Sequence, residues 1–357
     1  MQIGKLAGKW VRGGSEAFER WRNYSNSRKQ ADGYRQRIAK FKTQPFVNGK
    51  IIKRAKEESV TRFGDPEHWH WLALYAELRE EYVEGWLPMD VYSFRLVPYL
   101  NPRRLAYVST YKSIDHRIFG TFASEPVAVV VNGSFYNSES ERITPQQFSG
   151  AMKEYAGEVV IKQDAAPSGK GIEFRHSSEI DPGDFERSKS YLVQPLFRQH
   201  RALDELYPNC VHTLRISTYM DRSGKVSVKH NLLRVGHGEG RIVNLGDRDI
   251  DLYLDKTGKV IGDAVDGIGR KRNGTHPDSG YRFRELQVPS MQQAIDACKQ
   301  SHDKFPYTRF IAWDLYIDVE GTPLMIEWNT VNPGIWVHEA RIGPLWSERE
   351  IKEPLGG

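Results

Sequence analysis

The sequence predicts an α+β protein with a helical N-terminal region, and three observations predict it. Residues 50–85 carry apolar positions at helical spacing. From about residue 105, short β-branched runs alternate with helical stretches. The chain then closes on two alternating apolar runs around a polar turn, a β-hairpin over 312–329. The 357 residues exceed an ordinary single domain, and a hydrophobic content of 39% with 9 Trp, 17 Tyr and 15 Phe is ample for a core. No run approaches the ~20 apolar residues of a membrane span. Residues 1–30 are basic and polar, which predicts no signal peptide. Cys210 and Cys298 are too few for a disulfide framework and fit a reducing, cytoplasmic compartment. A net charge of +5 is mild and suits anionic substrates such as nucleotides or sugar acids; no nucleic-acid partner is expected.

Taken in order, residues 1–45 are rich in Lys and Arg with Trp10, Phe18, Trp21 and Tyr24 interspersed, a pattern that fits a helical cover, with binding to nucleic acid or an acidic membrane surface as the alternative. Helices follow at 53–63 and 67–82, separated by Gly64-Asp65-Pro66, where Asp65 is an N-cap and Pro66 takes the first helical position. His68 and His70 are two apart, so a helix turns them to different faces and they make no zinc pair. Pro88, Pro98 and Pro102 predict an irregular extended segment over 86–102. Beyond it, helices are expected at 111–122, 146–156 and 290–302. Strands are expected at 127–132, 158–162, 191–195, 212–221, 225–235, 252–255 and 259–264. Residues 164–171 and the glycine-rich 236–246 are expected loops.

The hairpin carries the first chemistry. Glu327 and Asn329 are two apart on one strand and share a face, and pairing brings Asp314 opposite them. Three oxygen-bearing side chains then meet among Trp313, Ile326 and Trp328. Acids in such surroundings need a partner, and Mg²⁺ takes hard oxygen ligands, a few from protein and the rest from phosphate and water. The second constellation is Lys162, at the end of an apolar strand, followed by Ser168, Gly169, Lys170 and Gly171. A strand lysine supplies one fixed charge, and a Ser/Gly loop lets backbone N–H groups approach phosphate. The loop is not a Walker A motif and opens no helix.

With Lys112 and Gln194-Pro195, this order of Lys162, glycine loop, Asp314 and Glu327-x-Asn329 resembles the ATP-grasp superfamily. Gly85-Trp86-Leu87-Pro88, Lys112-Ser113-Ile114-Asp115, His212-Thr213-Leu214-Arg215 and Trp313-Asp314 resemble its sugar-transfer-associated group over about residues 50–335. The resemblance implies an ATP-grasp fold, two α+β subdomains gripping ATP. The division expected is 1–100 for the helical and extended region, 101–190 for a small subdomain, 191–345 for a large one, and 346–357 for a tail. It implies that Lys112 and Lys162 bind the ATP phosphates, that residues 168–171 are a lid over them, and that Val193 (through its backbone) and Gln194 line the adenine. Gln194 stands where relatives more often have an acid. Asp314, Glu327 and Asn329 would hold Mg²⁺. Arg215 and Arg234 would stabilise the phosphoryl group or hold a substrate carboxylate. Asn244 would line the site. The activity implied is an ATP-dependent ligase joining a carboxylate to an amine or thiol through an acylphosphate, with cell-envelope sugar or polysaccharide precursors as substrates. A kinase on the same fold, phosphorylating a hydroxyl, is the alternative.

Overall fold

In the computed structural model, residues 3–166, 171–238 and 249–355 are described. The chain divides into two compact units. The first comprises residues 1–99, 268–270 and 334–357, and the second residues 100–267 and 271–333.

The first unit is helical. Helix Ile3–Ala39 is followed by Gly49–Phe63 and Trp69–Arg79. Asn48 caps the second helix through Lys50 N–H, and Gly64 ends it at φ 79°, a left-handed turn that glycine adopts freely. Trp71, Leu72, Tyr75, Trp86 and Ala340 form its core. Glu77, Asp90 and Glu339 are buried there with donors, Asp90 beside His68 Nδ1 at 2.9 Å. Glu77 accepts from Val47 N–H at 2.9 Å and pairs with Lys42 at 3.1 Å. Glu339 accepts from Leu87 N–H and Leu345 N–H, each at 2.9 Å. Residues 89–100 correct the expected extended segment: they are helical, with a π turn over Tyr92–Leu96. Pro98 has no N–H for the carbonyl four residues back, and the wide turn just before it absorbs that mismatch. No helix among the described residues is long and apolar enough to cross a membrane.

The second unit holds two antiparallel sheets. The strands of the first are β1 (Ala128–Val131), β2 (Ser134–Tyr136), β3 (Arg142–Ile143), β4 (Glu158–Gln163), β5 (Ile172–His176) and β6 (Ser190–Pro195). Their order is β3-β2-β1-β6-β4-β5. Helix Pro145–Tyr155, opened by a Thr144 capping box, packs Phe148 and Met152 against Val159, Ile161 and Val193. The second sheet contains β7 (Thr213–Met220), β8 (Val226–Val235), β9 (Ile250–Leu254), β10 (Val265–Asp266), β11 (Phe310–Ile317) and β12 (Pro323–Asn329). Their order is β10-β9-β8-β7-β11-β12. One face packs on helix Met291–Lys304, where Phe119 meets Trp313 and Trp328 edge-on at 5.2 and 5.1 Å. That burial leaves the alternate residues of the sheet on its other face.

Three differences from expectation concern strands. Residues 259–264 form only isolated bridges: Gly258 (φ 88°) turns the chain just before them and Gly262 (φ 69°) turns it within them. Strands β2, β3, β5 and β10 are additional to the expected ones; they are short or lie on polar, partly exposed sequence. Strand β6 pairs with β1 and β4, not with the later strands.

Candidate active site

The hairpin forms as its sequence dictates. Asp318 Oδ1 accepts from Glu320 N–H at 3.0 Å and Thr322 N–H at 2.7 Å, and Gly321 turns at φ 83°. This fixes Asp314 opposite Glu327 and Ala312 opposite Asn329. The register then passes to Leu315 opposite Met325, so Ile326 is an extra, bulged residue. Asn329 Nδ2 donates to Asp314 Oδ2 at 3.1 Å and to Glu327 Oε1 at 3.4 Å. The three expected metal ligands therefore do converge.

On its other side β11 pairs with β7, which sets Arg215 opposite Asp314. The guanidinium grips the carboxylate with two bonds, Nε to Oδ1 at 2.6 Å and Nη2 to Oδ2 at 2.5 Å. Both side chains are buried. Burial alone would push the Asp314 carboxyl up; the Arg215 charge reverses that and holds it below the usual range. Arg234, on β8, faces Asp251 of β9 at a looser 3.6 Å, and neither Arg234 Nε nor Asp251 Oδ1 has a hydrogen-bond partner. Burial and the like charge of Arg215 lower the Arg234 pKa, and burial raises that of Asp251.

Lys162 and Gln194 share the face of the first sheet that points away from Phe148, since Lys162 pairs with Leu192 and Val160 with Gln194. Lys162 Nζ donates to Ile326 O at 3.4 Å and lies 5.3 Å from the Phe197 ring. Burial, opposed by Glu327 and helped by Lys112, pushes its ammonium down to about 8. Lys112 begins a 3₁₀ turn, Lys112–Ile114, which Asp164 pins by accepting from Ser113 N–H at 3.0 Å and Ser113 Oγ–H at 2.5 Å. Gln194 is buried, with Nε2 3.5 Å from Ser124 O and Oε1 without a partner. That orphaned acceptor is a natural place for an amino group.

Other expected residues fare differently. Val193 points into the first sheet's core, and its carbonyl accepts from Val127 N–H at 2.8 Å, so that carbonyl is engaged within the sheet. Gly171, at φ 78°, closes the β4–β5 connection through its carbonyl to Gln163 N–H, and a Cβ there would come within 2.9 Å of Ala166. Ser168, Gly169 and Lys170 lie outside the described residues, as does Asn244. The residue that sequence reasoning left without a role is Asp115: it is buried, and Trp328 Nε1 donates to its Oδ1 at 2.8 Å.

Two carboxylates and one amide are a donor set that fits Mg²⁺, which takes most of its shell from phosphate and water. Among the described residues no group of three or more His, Cys, Asp or Glu could hold a metal by itself. In the described arrangement the Asn329 –NH₂ bridges the two acids, where a cation would sit; an amide flip would present oxygen instead.

A family model described as sugar-transfer-associated ATP-grasp matches residues 92–343. No curated protein matches the chain at the significance required. Among solved structures, the chain is similar to the D-cycloserine synthetase DcsG, with 13% identity and a TM-score of 0.40, covering 71% of each chain. It is similar to a Campylobacter jejuni biotin carboxylase solved as a β-γ-ATP complex, at 10% identity and a TM-score of 0.43, over 71% of this chain and 48% of that one. The ADP complex of the N5-carboxyaminoimidazole ribonucleotide synthetase purK gives 11% identity and a TM-score of 0.38, over 63% and 45%. The chain thus spans about half the length of the last two.

Proposed function

The chain belongs to the sugar-transfer-associated ATP-grasp family, and we propose that it is an ATP-dependent carboxylate–amine (or carboxylate–thiol) ligase. One observation carries this: Lys162 reaches from the first sheet to the carbonyl of Ile326, the residue beside Glu327. A phosphate-binding charge and a metal-binding hairpin thereby meet at one place.

In the proposed reaction a substrate carboxylate oxygen attacks the γ-phosphorus of ATP. The bond to the β-phosphate oxygen breaks, releasing ADP and leaving an acylphosphate. An amine then attacks the acyl carbon; the C–N bond forms, the C–O bond breaks, phosphate leaves and the amine gives up a proton. No side-chain nucleophile is needed, so the protein's work is positioning and charge. Lys112 and Lys162 hold the phosphates, with residues 168–171 as the lid. Gln194, through its unpartnered Oε1, takes the adenine amino group. Arg215 orients Asp314, and Arg234 offers its incompletely paired guanidinium to the substrate carboxylate or to the phosphoryl group in transfer. Asp314, Glu327 and Asn329 would hold Mg²⁺, which when bound neutralises phosphate charge. The sheet of β1–β6 and the sheet of β7–β12 would be the gripping halves, which moves residues 191–195 from the expected large subdomain to the small one. Sugar-linked acids of envelope or polysaccharide precursors are the proposed substrates; of this, the family's description supports only an association with sugar transfer. The cytoplasm, where ATP is, is the proposed compartment.

The test counts ADP and free phosphate together after incubation with MgATP and a pool of sugar acids, amino acids and amines. Equal amounts, absent for Glu327→Gln, are expected. ADP without phosphate would make the protein a kinase. Full turnover by Glu327→Gln would remove the metal assignment.

A further inference from the structure

Asp115 opens the helix Asp115–Phe119, three residues after Lys112. Its side chain is buried, and a buried carboxyl without a task would be better replaced by something apolar. Its partner is the indole N–H of Trp328, at 2.8 Å. Trp328 stands between Glu327 and Asn329, and its ring is fixed by stacking on Trp313 at 6.1 Å and by the edge of Phe119. At the other end of the same short segment, Ser113 is held by Asp164, two residues beyond Lys162. The 112–115 stretch is thus clasped twice: to the strand of Lys162 through Ser113 and Asp164, and to the strand of Glu327 and Asn329 through Asp115 and Trp328.

We propose that Asp115 is a positioning residue of the phosphate site, whose hydrogen bond from Trp328 sets the Lys112 turn in place against the strand that carries Glu327 and Asn329. The inference rests on the site being one for MgATP. Burial pushes the Asp115 carboxyl up to about 8, so near neutral pH it is held as the uncharged acid. It then accepts from Trp328 without cancelling the charges that Lys112 and Lys162 present to phosphate.

This makes Asp115→Asn a faithful mimic, with an amide oxygen for Trp328 and no charge, whereas Asp115→Leu keeps the volume and loses the acceptor. Calorimetric titration of each full-length protein with MgATP and with adenosine separates the possibilities. Asp115→Asn is expected to bind MgATP within about threefold of the wild type. Asp115→Leu is expected to bind it at least ~10-fold more weakly while its adenosine affinity stays unchanged, because only the phosphate end is displaced. Should Asp115→Leu not fold, Trp328→Phe removes the donor and is judged in the same way. MgATP binding by Asp115→Leu at wild-type strength overturns the inference. So does equal weakening for MgATP and adenosine, which marks a merely structural residue, and so does an asparagine variant as weak as the leucine one. A wild type that binds no MgATP would instead overturn the functional proposal on which the inference rests.

Discussion

Replacing Lys162 with methionine is expected to stabilise the nucleotide-free protein while abolishing its hold on ATP. Lys162 is only 5% exposed, and its ammonium makes one long hydrogen bond, 3.4 Å, to Ile326 O. Burial pushes it down from 10.5 to about 8, with Glu327 opposing the fall and Lys112 adding to it. Keeping that group charged at pH 7 costs the folded state ~3 kcal/mol. Methionine fills the stem's volume without the charge but leaves Ile326 O without this donor, a loss of ~1 kcal/mol. The net expectation is a gain of ~2 kcal/mol at pH 7. The sign follows from linkage: between about pH 8 and 10.5 the unfolded chain binds the proton more tightly than the folded one, so the wild type gains stability as pH climbs through that window. The variant's advantage should be full below pH 8 and gone by the upper end. Urea unfolding at pH 7 and at higher pH, followed by tryptophan fluorescence, measures the difference; titration with MgATP measures the loss of binding. A variant less stable than the wild type at pH 7, with ATP affinity intact, would make Lys162 a structural residue and refute the reasoning.

Two further outcomes follow from buried charge. Arg215→Met should destabilise by ~3–5 kcal/mol, since it takes the bidentate partner from the buried Asp314 carboxylate; an unfolding midpoint equal to the wild type's would contradict that pair. His302 and His212 are buried and held down to about 4 and about 3 by burial, well below an unfolded histidine. The unfolded chain therefore takes up protons first, and stability should fall by up to ~1.4 kcal/mol per pH unit for each as pH drops from 6.5 through 4. Circular dichroism should show acid unfolding within that interval, and a signal flat down to pH 4 would show that the two rings accept protons inside the fold.

Much of the site was legible because strand alternation is a local code. Asp314, Glu327 and Asn329 could be placed together from a polar turn and a period of two, and the register bears that out. What lay outside such a code was missed. The Arg215 grip on Asp314 depends on which strand lies beside β11, a choice made between residues 99 apart. Asp115 meets Trp328 from 213 residues away, and nothing near either residue announces it. Prolines at 88, 98 and 102 argued for extended chain, yet burial of Val91, Tyr92, Leu96 and Val97 held residues 89–100 helical. Short strands such as β3 owe their existence to the strands beside them, not to their own residues.

The bulge at Ile326 has a consequence for the strand's length. Met325 and Trp328 are three apart yet both bury in the core, while Ile326 and Glu327 between them both lie outside it. A plain ladder cannot do that, since its faces swap at every residue. Deleting Ile326 would force a choice: either the residues before it or those after it change sides, throwing Met325 out or turning Glu327 and Asn329 inward. A point substitution at Ile326 would be a small change of shape, but loss of the position itself would dismantle either the core or the ligand set. At this place the chain's count of residues matters as much as their identity.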